Sequence, residues 1–158
     1  MFVYSVGKGV NGFTLDPAIG NFLLSHPDIT IPSVGDTYSI NEAYEHKFEG
    51  ELLTYLQALK KKKGTALRYV GSMVADMHRT FIKGGIFIHP INTTRPNGKL
   101  RLTLEVNPFA YLTEQAGGKV LGKNNTNPLS VVPEHIHDRS PIIVGSKKMV
   151  EDYLSFYK

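Results

Sequence analysis

The spacing of apolar residues along the first half of the chain changes from that of strands to that of a helix. Short apolar runs at 2–6, 13–15 and 22–24 predict three strands, and the glycines between the first two predict a hairpin. Leucine and tyrosine then recur at 52, 55, 56 and 59 with the spacing of an amphipathic helix, which ends in a lysine run. Asn41 is expected to cap the helical residues that precede this pattern.

The second half of the chain begins with another helical pattern. Met73, Met77 and Phe81 are spaced by four residues and predict a helix that stops at two glycines. An apolar run at 86–88 predicts a short buried strand. Leucines at 100, 102 and 104 alternate with other residues, which predicts one more strand.

The last third carries helix-start signals and two more apolar runs. Asn107, followed by proline, predicts the capped start of a helix, and Ser146 is expected to cap a final helix. Small strands are predicted near residue 120 and at 142–144. Because strands and helices interleave along the whole chain, the sequence indicates a layered α/β protein with one domain over 1–158.

Composition narrows the classes of function. The chain has 158 residues and no cysteine, which excludes a disulfide scaffold, a thiol nucleophile and a cysteine-ligated metal. No apolar run approaches the ~18 residues needed to cross a bilayer, so no membrane partner is expected. Lysine and arginine number 18 against 14 acidic residues, a net charge of +4 that favours anionic partners such as phosphorylated metabolites, nucleic acid or anionic lipid.

The densest basic run, at 60–63, does not indicate nucleic-acid binding. It lies at the end of a predicted helix, where cations are stabilised by the helix dipole, and no aromatic residues interleave it. The absence of cysteine is compatible with a reducing compartment, and we expect a cytoplasmic protein. An apolar strand that begins at the first residue predicts that the chain is cut from something larger.

Two short segments carry groups that can hold a phosphate. Arg68 and Tyr69 precede the glycine and serine that open a helix, and Lys99 follows Asn97 and Gly98 at the mouth of a strand. Guanidinium, ammonium, phenol hydroxyl and the N–H groups of a helix start are the usual partners of a phosphate dianion. From spacing alone, each could equally be a surface charge or a strand-end aromatic residue.

A lone carboxylate, Glu105, ends the alternating leucine pattern just before the predicted cap at Asn107. A carboxylate in that place either stabilises the start of the helix or ligates a hard cation such as Mg²⁺.

Eight segments together form a pattern more specific than any single motif. In chain order they are GVNGFTLDP at 9–17, YSINE at 38–42, RYVGSMVADMHRT at 68–80, GGIF at 84–87, GKLRL at 98–102, EVNP at 105–108, EQAGG at 114–118 and PEHIHDRSP at 133–141. In this order they resemble the C-terminal half of class 1 fructose-1,6-bisphosphatases. The resemblance covers nearly the whole chain.

The resemblance implies a layered α/β/α domain with a mixed central sheet. It also implies Mg²⁺-dependent hydrolysis of the 1-phosphate of fructose 1,6-bisphosphate to fructose 6-phosphate, a step of gluconeogenesis. The family's N-terminal half, with its metal motif and AMP site, is not matched. The matched half grips the sugar and its 6-phosphate, and no catalytic residue is expected in it.

Two alternatives stay open at this stage. One is a freestanding module that binds sugar phosphates without hydrolysing them, and the other is half of a sedoheptulose-1,7-bisphosphatase. A half-enzyme should expose the apolar surface that meets its missing half, whereas a dedicated module should be polar there.

Carried over residue by residue, the resemblance implies ten site residues. The expected substrate contacts are Asn41, Tyr44, Arg68, Tyr69, Met73, Phe87, Ile88, His89 and Lys99, and the expected metal ligand is Glu105. Arg68 matches an arginine that reaches into a neighbouring subunit's site, which implies a homo-oligomer, a dimer or a tetramer. His89 stands where the family usually has tyrosine, and an imidazole can still donate a hydrogen bond to phosphate.

Overall fold

The computed structural model describes residues 1–48 and 50–157, which form strands, helices and short helical turns. The strands are β1 Phe2–Tyr4, β2 Asn11–Asp16, β3 Asn21–His26, β4 Thr37–Ser39, β5 Ala66–Leu67, β6 Ile86–His89, β7 Leu100–Arg101, β8 Lys119–Leu121, β9 Arg139–Ser140 and β10 Ile142–Gly145. The α-helices are α1 Gly50–Lys61, α2 Met73–Lys83, α3 Asn107–Gln115 and α4 Lys147–Ser155. Over the described ranges, none of the helices has the length and apolarity needed to cross a membrane.

The central sheet has five strands in the order β5-β4-β6-β10-β8. β4 runs parallel to both β5 and β6, whereas β10 is antiparallel to both β6 and β8, so the sheet is mixed as expected. Since neighbouring side chains of a strand point to opposite faces, Ile86 and Ile88 pack on one side of the sheet and Phe87 on the other.

Helices cover both faces of this sheet. On the first face, Leu56 of α1 and Tyr153 of α4 pack in the same core as Ile88. On the second face, Phe81 of α2 and Ala110 of α3 pack with Phe87, Val120 and Val144. The arrangement is an α/β/α sandwich, which confirms the expected fold class.

A second sheet is an antiparallel meander in the order β1-β2-β3. The predicted hairpin and third strand are confirmed, although β1 ends at Tyr4, short of the predicted residue 6. Phe2, Tyr4, Phe13 and Phe22 cluster on the outer side of this sheet, with ring centroids about 6 Å apart. These four residues, called the aromatic face below, are half-exposed or exposed.

The strand predicted from leucines 100, 102 and 104 is wrong after its first two residues. β7 covers only Leu100–Arg101, and Leu102–Val106 forms a wide helical turn that runs directly into α3. The same segment also contains a four-residue apolar spacing, from Leu102 to Val106, and the side chains of these two residues are buried. Leu104 is 49% exposed, so the period of the helix prevails over that of the strand.

Two residues predicted as caps do not form the side-chain hydrogen bond of a cap. Asn107 already has helical angles, and within the described chain its buried Oδ1 atom has no hydrogen-bond partner. Ser146 does precede α4, but its hydroxyl donates to the carbonyl of Pro32 at 2.6 Å and accepts from the N–H of Gly85 at 2.9 Å. Asn41 does act as a cap, because its Oδ1 accepts from the N–H of Ala43 at the start of the 3-10 turn Glu42–Lys47.

Candidate functional site

The carboxyl ends of three parallel strands meet at one edge of the central sheet. Asn41 lies two residues after β4, Tyr69 lies two residues after β5, and His89 is the last residue of β6. In α/β sheets, ligands commonly bind beyond this end of the strands. The three side chains line one cavity of about 140 Å³.

The cavity carries several cationic and hydroxyl-bearing residues on a small apolar floor. It is lined by Ile40, Asn41, Tyr44, Lys47, Phe48, Tyr69, Ile88, His89, Pro90, Asn92, Thr94, Arg95 and Lys99. Among the residues that the structure describes, these lining positions include Lys47, Arg95 and Lys99 but no carboxylate. This set, called the cationic cavity below, therefore has a positive potential and suits an anion.

Six of the ten residues expected from the sequence lie together in the cationic cavity. They are Asn41, Tyr44, Tyr69, Ile88, His89 and Lys99. The other four, Arg68, Met73, Phe87 and Glu105, do not line it.

Three of these four side chains have well-defined places elsewhere. Phe87 is buried on the opposite face of the sheet, because it alternates with Ile88 along β6. Met73 begins α2 and packs on the edge of the same core as Phe87. Arg68 is exposed and donates to the carbonyl of its neighbour Leu67 at 3.2 Å.

Sequence reasoning missed Lys47, Asn92, Thr94 and Arg95. Lys47 follows Tyr44 by three residues in a 3-10 turn, so both side chains lie on one side of it, and the Lys47 ammonium sits 5.2 Å from the centre of the Tyr44 ring. The other three belong to a polar loop before Lys99. The sequence of that loop did indicate a tight turn, because asparagine and threonine side chains often stabilise turns by bonding to the nearby backbone.

The segment that carries Tyr69 is held by a buried carboxylate. Asp76 on α2 is fully buried and accepts from the N–H of Val70 at 3.2 Å and from Arg79 Nη2 at 3.0 Å. Arg79 Nη2 also donates to the carbonyl of Arg68 at 3.0 Å. Both neighbours of Tyr69 are thus fixed to α2, which orients the phenol before any ligand arrives.

Lys99 is positioned by backbone contacts on both sides. Gly98 has a positive φ of 80°, and a Cβ there would lie 2.4 Å from the backbone of Ser140 and Pro141. The guanidinium of Arg139 donates to the carbonyl of Lys99 at 2.6 Å. Because Gly98 packs so closely against the backbone of β9, the position of Lys99 at the cavity is fixed.

Tyr69 and His89 are both held in their neutral forms. Burial raises the pKa of Tyr69, and the charge of Asp76 raises it further, so the phenol keeps its proton for donation. Burial also lowers the pKa of His89, and the nearby charges of Lys99 and Arg95 lower it further. The Nδ1 atom of His89 is buried and has no partner among the described residues.

A pH dependence of stability follows from His89. Its folded pKa lies below the ordinary 6.5, so the unfolded chain takes up the proton first as the pH falls. We therefore expect the free energy of unfolding to decrease as the pH falls from about 6.5 to the folded pKa of His89. The His89→Gln variant should show a smaller decrease over the same pH range. Urea unfolding of both proteins between pH 7.5 and 5 measures it. His78→Gln, an exposed histidine on α2, is the control, and equal slopes for wild type and His89→Gln would contradict the prediction.

Glu105 does not form a metal site with other residues of the described chain. Its Oε2 atom accepts from the N–H of Arg101 at 2.8 Å and from Arg101 Nε at 3.1 Å. Burial alone would raise the pKa of Glu105, but these hydrogen bonds and the charge of Arg101 outweigh it, and the pKa is lowered. No group of three histidine, aspartate or glutamate side chains in residues 1–48 and 50–157 could hold a metal ion. The ligand set expected for Mg²⁺ is therefore not met by these residues alone.

Comparison with known proteins agrees with the resemblance. The family model "Fructose-1-6-bisphosphatase, C-terminal domain" matches residues 31–158. The class 1 fructose-1,6-bisphosphatase of Persephonella marina is 54% identical over 158 residues, covering 99% of this chain and 48% of that protein. The cytosolic fructose-1,6-bisphosphatase of Arabidopsis thaliana is 49% identical over 162 residues, covering 99% of this chain and 47% of that protein. The chain spans about half the length of these curated relatives.

Solved structures show the same fold. The crystal structure of Leishmania major fructose-1,6-bisphosphatase in its holo form superposes with a TM-score of 0.95 at 43% identity, covering 98% of this chain and 52% of that one. Its apo form gives a TM-score of 0.94 at the same identity, covering 98% of this chain and 50% of that one. With the family model matched over 128 of 158 residues (31 to 158), the chain belongs to the fructose-1,6-bisphosphatase family, in the part that forms its C-terminal domain.

Proposed function

We propose that this chain forms the sugar-phosphate-binding part of a fructose-1,6-bisphosphatase, and that its cationic cavity binds the 6-phosphate of the substrate. The observation that carries the proposal is the meeting of Lys47, Arg95 and Lys99 in a cavity whose described lining has no carboxylate. Charge-assisted hydrogen bonds from such groups are the strong ones in phosphate recognition. In this reading the product of the whole enzyme is fructose 6-phosphate.

Neutral groups of the cavity supply further hydrogen-bond donors for the phosphate. Tyr44 and Tyr69 have phenol hydroxyls, and Asn41 has an amide, all of which can donate to phosphate oxygens. Ile40, Ile88 and Phe48 form an apolar floor against which the carbon chain of a sugar can pack. We propose the same roles for Arg68 and Met73 as the resemblance implies, Arg68 acting from a second copy of the chain in a homo-oligomer.

Hydrolysis requires groups beyond the described residues. The expected metal, Mg²⁺, needs several oxygen ligands, and Glu105 is a single carboxylate already bonded to Arg101. We therefore place the remaining metal ligands and the hydrolytic step in another part of the enzyme, and assign Glu105 as one contribution to that site. The proposed compartment is the cytoplasm.

The aromatic face of the meander supports an enzyme half over a freestanding module. Phe2, Tyr4 and Phe22 are each about half exposed, and Leu24 on β3 is 54% exposed. Large contiguous apolar patches mark a surface that meets another protein element. Val10 and Ile29, which flank β2 and β3 in the chain, belong to the core that contains residues of α2 and α3, and this supports one domain over 1–158.

Titration of the chain with fructose 6-phosphate tests the proposal. Lys99→Ala removes one charged donor and is expected to raise the dissociation constant by about 10- to 100-fold, because hydrogen bonds to charged groups contribute roughly 1.5–3 kcal/mol. Isothermal titration calorimetry measures the effect.

The matched control for that titration is Lys62→Ala, an exposed lysine just beyond α1. It removes the same charge from a residue that does not line the cavity and should leave the affinity within about twofold. Unphosphorylated fructose is expected not to bind measurably. If the two lysine variants lose affinity equally, or if wild type binds fructose as tightly as its phosphate, the proposed function is wrong. Parallel titration with sedoheptulose 7-phosphate compares the two substrate readings.

A further inference from the structure

A second cavity lies beside the cationic cavity, with which it shares Lys47, Pro90 and Asn92. This space, called the large cavity below, has a volume of about 670 Å³. Its lining comes from the start of α1, from the loops at 90–96 and 122–125, from the start of β10 and from the C-terminal end of the chain. A volume of this order suits an organic molecule.

Much of the wall of the large cavity is apolar. Ile143 of β10 and Tyr153 of α4 line it and are buried, whereas Ile91 lines it and is 48% exposed. The ring centroids of Tyr153 and Tyr157 are 4.8 Å apart, and Tyr157 adds an aromatic surface to the wall. An aromatic ring of a ligand can pack against such side chains.

The polar groups of the large cavity suit a ligand with one negative charge. Among the described residues that line it, the charged side chains are those of Lys47, Lys123 and Glu51, two positive charges against one negative. The hydroxyl of Tyr153 donates to that of Tyr157 at 2.7 Å, which leaves the proton of Tyr157 available for an acceptor. Burial raises the pKa of Tyr157, so the phenol keeps this proton at neutral pH.

The loop that carries Lys123 is held in place by its own hydrogen bonds. The N–H of Gly122 donates to the carbonyl of Thr126 at 2.7 Å, and the N–H of Thr126 donates to the carbonyl of Lys123 at 3.2 Å. The ammonium of Lys123 donates to Oδ1 of Asn97 at 2.9 Å, which joins this loop to the one at 90–96. Little conformational entropy is therefore left to lose when a ligand enters between the two loops.

We propose that the large cavity is a second ligand site, separate from the cationic cavity, and that it binds a small aromatic carboxylate. The carboxylate of the ligand pairs with the ammonium groups of Lys123 and Lys47, while its ring packs against Tyr157. A hydrogen-bond donor on the ring suits the carboxylate of Glu51. The inference does not depend on the proposed function, because neither a sugar nor a phosphate enters it.

Titration of the purified chain with indole-3-acetate, followed by two-dimensional ¹H–¹⁵N NMR, tests the inference. This probe carries a carboxylate, an aromatic ring and an N–H donor. We expect saturable binding with a dissociation constant of about 1 mM or lower, the range of small ligands in such pockets. The largest shifts should occur at the backbone amides of residues 50–52, 91–93 and 122–125. Indole-3-acetamide, which lacks the charge, should bind about 10-fold more weakly or worse.

Three single-charge variants locate the carboxylate of the probe. Lys123→Ala should raise the dissociation constant by about 10-fold, because it removes a charged donor from the large cavity. Lys99→Ala and Lys62→Ala remove the same charge from residues that do not line this cavity and should change the constant by less than about twofold.

Two further variants locate the ring of the probe. Ile91→Trp should abolish binding, because the larger side chain occupies the space while Ile91 itself is half-exposed. An amide spectrum that is unchanged away from residue 91 shows that this variant is folded. Phe22→Ala alters the aromatic face of the meander and should leave the affinity unchanged.

Several results would overturn the inference. Absence of saturable binding up to about 10 mM probe means that the large cavity is not a site for this class of ligand. Equal affinity for the acetamide means that the lysines do not select an anion. A larger loss in Lys99→Ala than in Lys123→Ala places the probe in the cationic cavity, and loss of binding in Phe22→Ala places it on the aromatic face.

Discussion

Replacing Gly145 with alanine is expected to destabilise the protein by about 2–6 kcal/mol, since backbone strain and overpacking contribute roughly 1–3 kcal/mol each. Gly145 ends β10 with a φ of +145°, a conformation that glycine adopts readily and alanine does not. A Cβ there would lie 2.2 Å from the carbonyl oxygen of Gly85, which also accepts from the N–H of Ser146 at 2.8 Å. The new methyl group would therefore force β10 and β6 apart.

Gly20→Ala is the matched control for this clash. Gly20 also has a positive φ, +69°, but nothing lies within 4 Å of its hypothetical Cβ. The Gly20→Ala variant should lose only the stability that the left-handed backbone conformation costs, about 1–2 kcal/mol. Urea unfolding of the three proteins at neutral pH measures the difference. If Gly145→Ala loses no more than Gly20→Ala, the close approach of β10 to Gly85 does not constrain the fold.

The helices of the sandwich and its strands β6, β8 and β10 were predictable from their apolar patterns, whereas β4 and β5, which have only three and two residues, were not. Ile86, Phe87 and Ile88 form a wholly buried run, and the helix of Met73, Met77 and Phe81 stops at Gly84 as predicted. The segment after Leu100 was not predictable in the same way. Its leucines satisfy a two-residue period, while Leu102 and Val106 satisfy a four-residue one, and only burial against the core decides between them.

Three residues of the candidate site, Asn41, Tyr69 and His89, were expected from the family resemblance and not from the strand pattern. The structure brings them together because they follow or end parallel strands. Contact by three successive residues of β6 was not a sound expectation, because alternation turns Phe87 away from Ile88. Arg95 was missed for another reason, since its place depends on a loop whose fold is set by hydrogen bonds within it.

Asp76→Asn is expected to destabilise the protein by about 3–5 kcal/mol, the usual cost of breaking a buried ion pair from one side. Asp76 is fully buried and pairs with Arg79 at 3.0 Å, so removal of its charge leaves the guanidinium without its carboxylate. The surface pair of Lys119 and Glu151, at 3.4 Å, provides the control. Glu151→Gln should cost less than about 1 kcal/mol, because water screens an exposed pair.

The Asp76 variant also links the core to the site. Arg79 holds the carbonyl of Arg68, and Asp76 holds the N–H of Val70, so both tethers of Tyr69 depend on this one pair. We expect Asp76→Asn, studied at low temperature where it stays folded, to bind fructose 6-phosphate more weakly, whereas Glu151→Gln binds like wild type. Adding Arg79→Met removes the unpaired charge and should recover part of the stability without recovering the affinity, because the carbonyl of Arg68 is then released. Recovery of both together would mean that Tyr69 is held by its own packing and that the buried pair serves stability alone.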